Sequence, residues 1–218
     1  MPSTQKRKYE LKARAERQRQ TRERIVEATV SLHQEVGPAR TTIADIARRV
    51  GVQRITVYKA FPDLGDLLAA FQARFLAGNP QPDLDASSGE KAETRLEAVL
   101  TKLYGWYRET EAMERNVHRD RHLVPALDAL MANSGDVRLD ALADAHARAL
   151  ARGKASAATR ALIRLALEFR TWELFAHQEM EDRSIARVLV GAIGGGARQL
   201  HRPSRHRPPR SDPSRKKP

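Results

Sequence analysis

Cysteine is absent from this chain. Its absence excludes a disulfide-stapled secreted fold, a cysteine-based zinc finger and thiol catalysis. Long apolar runs are missing too, and nothing approaches the ~18 uninterrupted apolar residues of a membrane span. Of eleven prolines, only Pro125 falls between Pro82 and Pro203, so that stretch reads as helix with short breaks. No alternating run of strand length and no internal repeat is visible. Together these absences predict an all-α chain, with 41% hydrophobic residues to form its core. The start, MPSTQKRKYELKARAERQRQ, has no apolar segment of the signal-peptide kind. The expectation is a cytoplasmic protein.

Positive charge is plentiful and unevenly spread. The 218 residues hold 39 Lys and Arg against 27 Asp and Glu, a formal net charge of +12. That balance points to a polyanion, nucleic acid first and an anionic membrane surface second. Residues 1–74 carry fifteen basic and eight acidic side chains, residues 75–197 sixteen and eighteen, and residues 198–218 eight and one. A general polyanion coat does not need that division. A small binding head on a neutral body does.

Local signals divide the chain further. Residues 1–18 form a basic arm, read as a frayed helix or disordered. Lys6, Arg7, Lys8, Lys12, Arg14, Arg17 and Arg19 there either solubilise the chain or dock on phosphate or a minor groove. Residues 19–79 form a head. Its first helix, near 21–35, has Ile25, Ala28, Leu32 and Val36 at helical spacing, and Gly37-Pro38 ends it. Thr42-Ile43-Ala44-Asp45 is a capping box opening a second helix with Ile43, Ile46, Ala47 and Val50 inward. Gly51 suits a turn with positive φ, and a short third helix runs over about 53–60. Asp63 caps a fourth helix through Leu67, Leu68, Phe71 and Phe75. Residues 78–89 read as a hinge. The body, residues 80–202, is expected to hold helices near 91–108, 110–117, 121–132, 137–152, 156–180 and 184–200. Residues 203–218 are a basic tail too polar to fold.

Three short helices with a Gly-centred turn describe a helix-turn-helix head. Val52, Val57 and Phe61 pack inward, which leaves Arg54, Ile55, Thr56, Tyr58 and Lys59 facing a groove of nucleic acid. The stretch TTIADIARRVGVQRITVYKAFPDLGDLL, Thr41 to Leu68, resembles the tetracycline-repressor (TetR) family of bacterial transcription regulators. The matching positions are Thr42, Ile46-Ala47, Gly51-Val52, Thr56-Val57-Tyr58, Phe61 and Leu67-Leu68. WYRETEAMERNVHRD (Trp106 to Asp120) and Trp172 are similar to recurring features of one branch of that family. The resemblance implies a helical ligand-binding and dimerising body behind the head, a palindromic double-stranded DNA operator, and a small-molecule effector that releases a repressor. It places the DNA contacts among Thr41, Thr42, Gln53, Arg54, Ile55, Thr56, Tyr58 and Lys59. Two departures from the family's pattern stand out. Gln53 replaces the usual Ser or Thr cap of the third helix, and Ala60 and Leu64 replace residues that touch phosphate.

In the body, Tyr104, Trp106, Tyr107, Met113 and Met131 concentrate soft and aromatic side chains, read as core or as the wall of an apolar ligand pocket. Arg108, Arg115, Arg119 and Arg121 lie close in sequence and leave an acidic ligand open. Leu162, Leu165, Phe169 and Trp172 form one apolar stripe, Ile163, Leu167 and Leu174 begin another, and Ile185, Leu189 and Ile193 continue it. Helices apolar over so wide an arc are buried on two sides, one in the monomer and one against a second copy. His118 and His122 have metal-ligand spacing but no third ligand. Glu111, Glu114 and Asp120 lack a nucleophile, and Gly194-Gly195-Gly196 lacks the Lys-Ser/Thr of a phosphate loop. It reads instead as a close helix approach or the end of the last helix. No cofactor, metal, membrane or enzymatic activity is expected. The rival to a regulator is a non-specific helical nucleoid or scaffold protein.

Overall fold

The computed structural model describes residues 4–84, 91–151 and 155–200, and every regular element among them is helical. The head comprises α1 (Thr4–Glu35), α2 (Ile43–Val50), α3 (Arg54–Ala60) and α4 (Leu64–Gly78). The body comprises α5 (Ala92–Asp120), α6 (Pro125–Met131), α7 (Val137–Ala151), α8 (Ala157–Ala166), α9 (Phe169–Ala176) and α10 (Asp182–Leu200). A π-helical turn, Ala132–Asp136, joins α6 to α7. The basic tail, residues 203–218, lies outside the described residues, as do positions 85–89 of the expected hinge.

Ile25, Val26, Ala28 and Leu32 of α1 close on Ile46, Ala47, Val50, Val57 and Phe61 to form the head core. Val36, expected to extend that stripe, lies past the helix end and is exposed, because the chain turns at Gly37. α4 serves two cores: Leu67 belongs to the head, while Leu68, Phe71 and Phe75 join the body. α1 also reaches further back than expected and takes in the arm from Thr4. Its Ala, Arg, Glu, Gln and Lys residues are strong helix formers. Glu16 meets Arg19 at 2.6 Å and Gln20 at 2.8 Å, which adds support one turn apart.

The body departs from the expected breaks in two places. α5 is one helix where two were expected, since the Thr110 hydroxyl bonds back to the Trp106 carbonyl at 2.7 Å without disturbing it. The expected helix over 156–180 is divided at Leu167-Glu168. There the phenol hydroxyls of Tyr104 and Tyr107 donate to the carbonyls of Ala166 (2.6 Å) and Leu167 (2.8 Å), capping the end of α8. Burial pushes both phenols well above their ordinary pKa. α10 runs straight through Gly194-Gly195-Gly196, and a Cβ at Gly194 or Gly195 would meet no neighbour, so this segment neither ends the helix nor admits a close approach within the monomer. The described part of the expected hinge is docked. Trp106 Nε1 donates to the Asn79 carbonyl at 3.1 Å, Arg138 to that of Pro82 at 3.1 Å, and Leu84 is buried.

Head and body meet where α1 ends on α5. The last carbonyls of a helix have no partner within it. Asn116 Nδ2 donates to the His33 and Gln34 carbonyls at 3.0 and 2.9 Å, and Arg119 Nη2 donates to that of Val36 at 2.9 Å. Asp120, almost fully buried, accepts from the Ala39 amide at 3.0 Å and from Arg119 Nε at 2.6 Å. Burial opposes its charge, but those hydrogen bonds outweigh it and hold the carboxyl below its usual pKa. Gly37 sits in this contact at φ 96°, and a Cβ there would run into Arg119 Nη2 and Asp120 Oδ2. His33 is buried edge-on to Phe71 with ring centroids 4.6 Å apart, and its Nδ1 has no hydrogen-bond partner. Burial pulls its pKa down to about 4 against the opposing charge of Asp120.

Two outcomes follow from this junction. Gly37→Ala combines a strained φ with the loss of space, and should cost more than ~1 kcal/mol in denaturant unfolding. An unchanged midpoint would contradict the contact. His33 is neutral when folded and titrates near 6.5 when unfolded, so the unfolded chain binds the extra proton between those values. Its contribution is complete above pH 6.5 and is lost as the pH falls toward 4, a swing on the order of 3 kcal/mol. His33→Phe should flatten that part of the acid loss, leaving the smaller share from His146, which burial also depresses.

Candidate functional site

The helix-turn-helix is built by local chemistry. The Asp45 amide donates to Thr42 Oγ1 at 3.2 Å, and the Thr42 amide donates to Asp45 Oδ2 at 3.1 Å, completing the capping box. Gly51 ends α2 at φ 74°, and the Val52 amide returns to the Ala47 carbonyl at 2.9 Å. Gln53 stands at the N-cap of α3 without a side-chain bond to it. Support comes from α1 instead. Arg24 reaches the Val50 carbonyl at the end of α2. Arg22 reaches the Ala60 carbonyl at the end of α3, with its guanidinium 3.7 Å above the Phe61 ring centroid. Cations at both C-termini complement the helix dipoles. Arg49 forks onto Glu35 at 2.9 and 2.7 Å and holds that carboxyl at about 2.

On α3, Val57 and Phe61 are buried while Ile55 and Tyr58 are each 52% exposed. Gln53, Arg54 and Lys59 are exposed and Thr56 is half-buried. Neither Arg54 nor Lys59 makes an ion pair or hydrogen bond with a described residue, so both charges are free. Thr41 and Thr42 lie beside this face with their hydroxyls engaged, on the Gly37 carbonyl at 2.9 Å and on Asp45 at 2.5 Å. Leu64 is 48% exposed. A basic cleft runs between α3 and the arm half of α1, lined by Arg14, Arg17, Arg22, Thr56 and Lys59. Charge count alone did not reveal it, because it depends on the arm being helical.

Between α4 and the body lies a partly open cavity of about 120 Å³. Phe71, Gln72 and Phe75 of α4 form one wall and Leu127 and Met131 of α6 another. Trp106, Tyr107, Met113, Glu114 and His118 of α5 form a third, and the π turn adds Ser134 and Asp136. Four of the five aromatic and methionine residues singled out in the sequence thus come together. Tyr104 does not line the cavity, since its ring is fully buried and its hydroxyl is spent on α8. The α4 wall was not legible, because its residues read simply as core.

The other candidates disperse. Arg108 pairs with Asp182, Arg115 with Glu111 and Glu173, Arg119 with Asp120, and Arg121 with Asp128 and Asp136, and none of the four lines the cavity. Glu111 sits in a surface ion pair, Asp120 in the head–body junction and Glu114 on the cavity wall. His118 stacks on Phe169 at 5.3 Å while His122, beyond the end of α5, is exposed. Among the described residues no three His, Cys, Asp or Glu side chains gather to hold a metal ion. No described helix is long and apolar enough to cross a membrane.

Residues 25–71, from the buried half of α1 into α4, match the model of bacterial regulatory proteins, tetR family. Over 83 residues the chain is 35% identical to uncharacterized HTH-type transcriptional regulators of Mycobacterium bovis and Mycobacterium tuberculosis. That span covers 38% of this chain and 44% of theirs, so the match takes in less than half the length of these curated relatives. A tetR-family transcriptional regulator from Streptomyces coelicolor has a similar fold, with a TM-score of 0.54 and 19% identity over 80% of this chain and 79% of that one. RolR, in a complex with the ligand resorcinol, aligns at a TM-score of 0.47 with 18% identity, over 85% of this chain and 95% of that one. The matched residues are those that set the capping box, the Gly51 turn and the outward face of α3, so over residues 25–71 this all-helical chain carries the head of the tetR family of bacterial regulatory proteins.

Proposed function

We propose that the chain is a homodimeric, sequence-specific DNA-binding regulator of transcription in the cytoplasm, a repressor released from a palindromic operator by a small, largely apolar ligand. The observation that carries this reading is the outer face of α3. There two uncommitted cations and two half-exposed apolar side chains stand on a helix whose C-terminal end is fixed by α1. α3 enters the major groove. Arg54, Ile55 and Thr56 face base edges, Tyr58 and Lys59 face phosphate, and Gln53, Thr41 and Thr42 flank them. The cleft beside the arm follows the DNA backbone and takes over the phosphate contacts that Ala60 and Leu64 cannot make.

Dimerisation is assigned to α8 and α10, which pack on each other. Leu165 and Val188 are 55% and 50% exposed there. Phe169 and Trp172, read in the sequence as part of one stripe with Leu165, are wholly buried in the monomer and belong to its own core. Ligand in the body cavity favours a dimer whose heads are spaced wrongly for successive major grooves, and it acts only to the extent that it binds one spacing better.

The deciding experiment is competition. DNA carrying an inverted repeat from beside the coding region should bind ~10³-fold or more tighter than bulk DNA. Equal affinities would leave a non-specific DNA-coating protein. Lys59→Ala should weaken both kinds of binding and lower the salt slope by roughly one. Arg54→Ala should cost ~1–3 kcal/mol at one operator position and relax preference there. Leu165→Glu combined with Val188→Glu should sediment as a helical monomer with weakened operator binding. An unchanged mass would remove α8 and α10 from the interface.

A further inference from the structure

The cavity's polar groups narrow what it can hold. Against an apolar wall, Glu114 and His118 stand one helical turn apart on α5, with Glu114 Oε2 3.4 Å from His118 Nε2 and side chains 15% and 13% exposed. Neither forms a hydrogen bond to any other described residue. Stacking on Phe169, with the rings 12° from parallel, fixes the imidazole. The other polar groups of the wall are occupied. Gln72 Nε2 donates to Ser134 Oγ at 3.1 Å, and the Tyr107 hydroxyl donates to the Leu167 carbonyl. Arg138 is held by Gln81 and the Pro82 carbonyl. Asp136 lies between Arg121 at 3.0 Å and Arg164 at 3.4 Å.

A carboxylate on an apolar wall accepts hydrogen bonds only and is costly without a donor. A ligand N–H or O–H supplies one. A ligand carboxylate would instead set a further anion beside Glu114 and Asp136, and Arg138, the guanidinium on the wall, is bonded to Gln81 and the Pro82 carbonyl. The volume sets the size: an engineered apolar cavity of about 150 Å³ holds one benzene, so ~120 Å³ admits one ring at most, with any short substituent projecting toward the open side of the pocket. We propose that this cavity is the site of a compact, single-ring molecule bearing an ammonium or hydroxyl donor, recognised by Glu114 together with His118, and that it rejects carboxylic acids. The proposal rests on the body being an effector domain and names the effector's chemistry.

The single-ring series benzylamine, benzyl alcohol, toluene and benzoate tests it, by calorimetry or ligand-observed NMR on the full chain without DNA. At least one donor compound should bind ~10-fold or more tighter than toluene, as one hydrogen bond to a charged group allows, and benzoate should not compete. A preference for the amine identifies charge as the feature read, and a preference for the alcohol identifies a neutral donor. Glu114→Met should remove the advantage over toluene while leaving toluene binding in place. Met131→Trp, which fills the cavity, should abolish binding of the whole series. Benzoate binding as tightly as the donors, an unchanged order in Glu114→Met, survival of binding in Met131→Trp, or no binding by any member would each overturn the assignment. Donor compounds that bind as described yet leave operator affinity unchanged would keep the site and overturn release by ligand.

Discussion

Besides α4, which enters both cores, the head is joined to the body through the carbonyl groups at the end of α1. They are satisfied by side chains from the far end of α5, so the head has no independent way to finish its first helix. Asn116 and Arg119 supply that capping and Asp120 accepts from the Ala39 amide beside it, while Glu114 and Val117, within the same turns of α5, face the cavity. A shift of α5 at the cavity therefore moves the groups that hold the head. A rigid helix carries the displacement, and the cost of exposing unpaired carbonyls keeps the two parts together. Gly37 makes the approach possible, and the buried His33 makes the same contact sensitive to acid.

The head was legible because its signals are local. A capping box spans four residues, a left-handed turn calls for glycine, and the inward positions of α3 follow from helical period. The arm was read less well: its composition told of charge, whereas its helicity rests on pairs such as Glu16 with Arg19. In the body, Thr110 looked like a boundary although its hydroxyl can bond back within a continuing helix. The opposite error came at Leu167, where the break is imposed by phenols about sixty residues earlier. Tyr104 was grouped with the pocket for the same reason, since its destination depends on where α8 ends. Asn116 was noticed only as part of the Trp106–Asp120 motif, and Asp120 also as an acid or base, because contact with the end of a distant helix leaves no periodic trace.

Counting charges likewise hides a division of labour among the arginines of the head. Arg22, Arg24 and Arg49 are struts, each committed to a carbonyl or carboxylate that fixes one helix against another. Arg54, with Lys59, is free. Both kinds contribute equally to the net charge of +12, but only the second can exchange its hydration for a phosphate without loosening the fold.

The arm half of α1 has a consequence for how the molecule responds to its surroundings. Residues 8–24 are nearly all exposed, so little tertiary packing holds them in a helix. Their support includes ion pairs, Arg19 with Glu16 and Glu23, which mobile ions screen over roughly a Debye length. Added salt thus acts on this segment twice, once by weakening attraction to an external polyanion and once by loosening the rod that spaces the charges. If the arm holds phosphate as proposed, its stiffness and grip fade together as salt rises, and a count of bound phosphates read from salt dependence alone would come out too high.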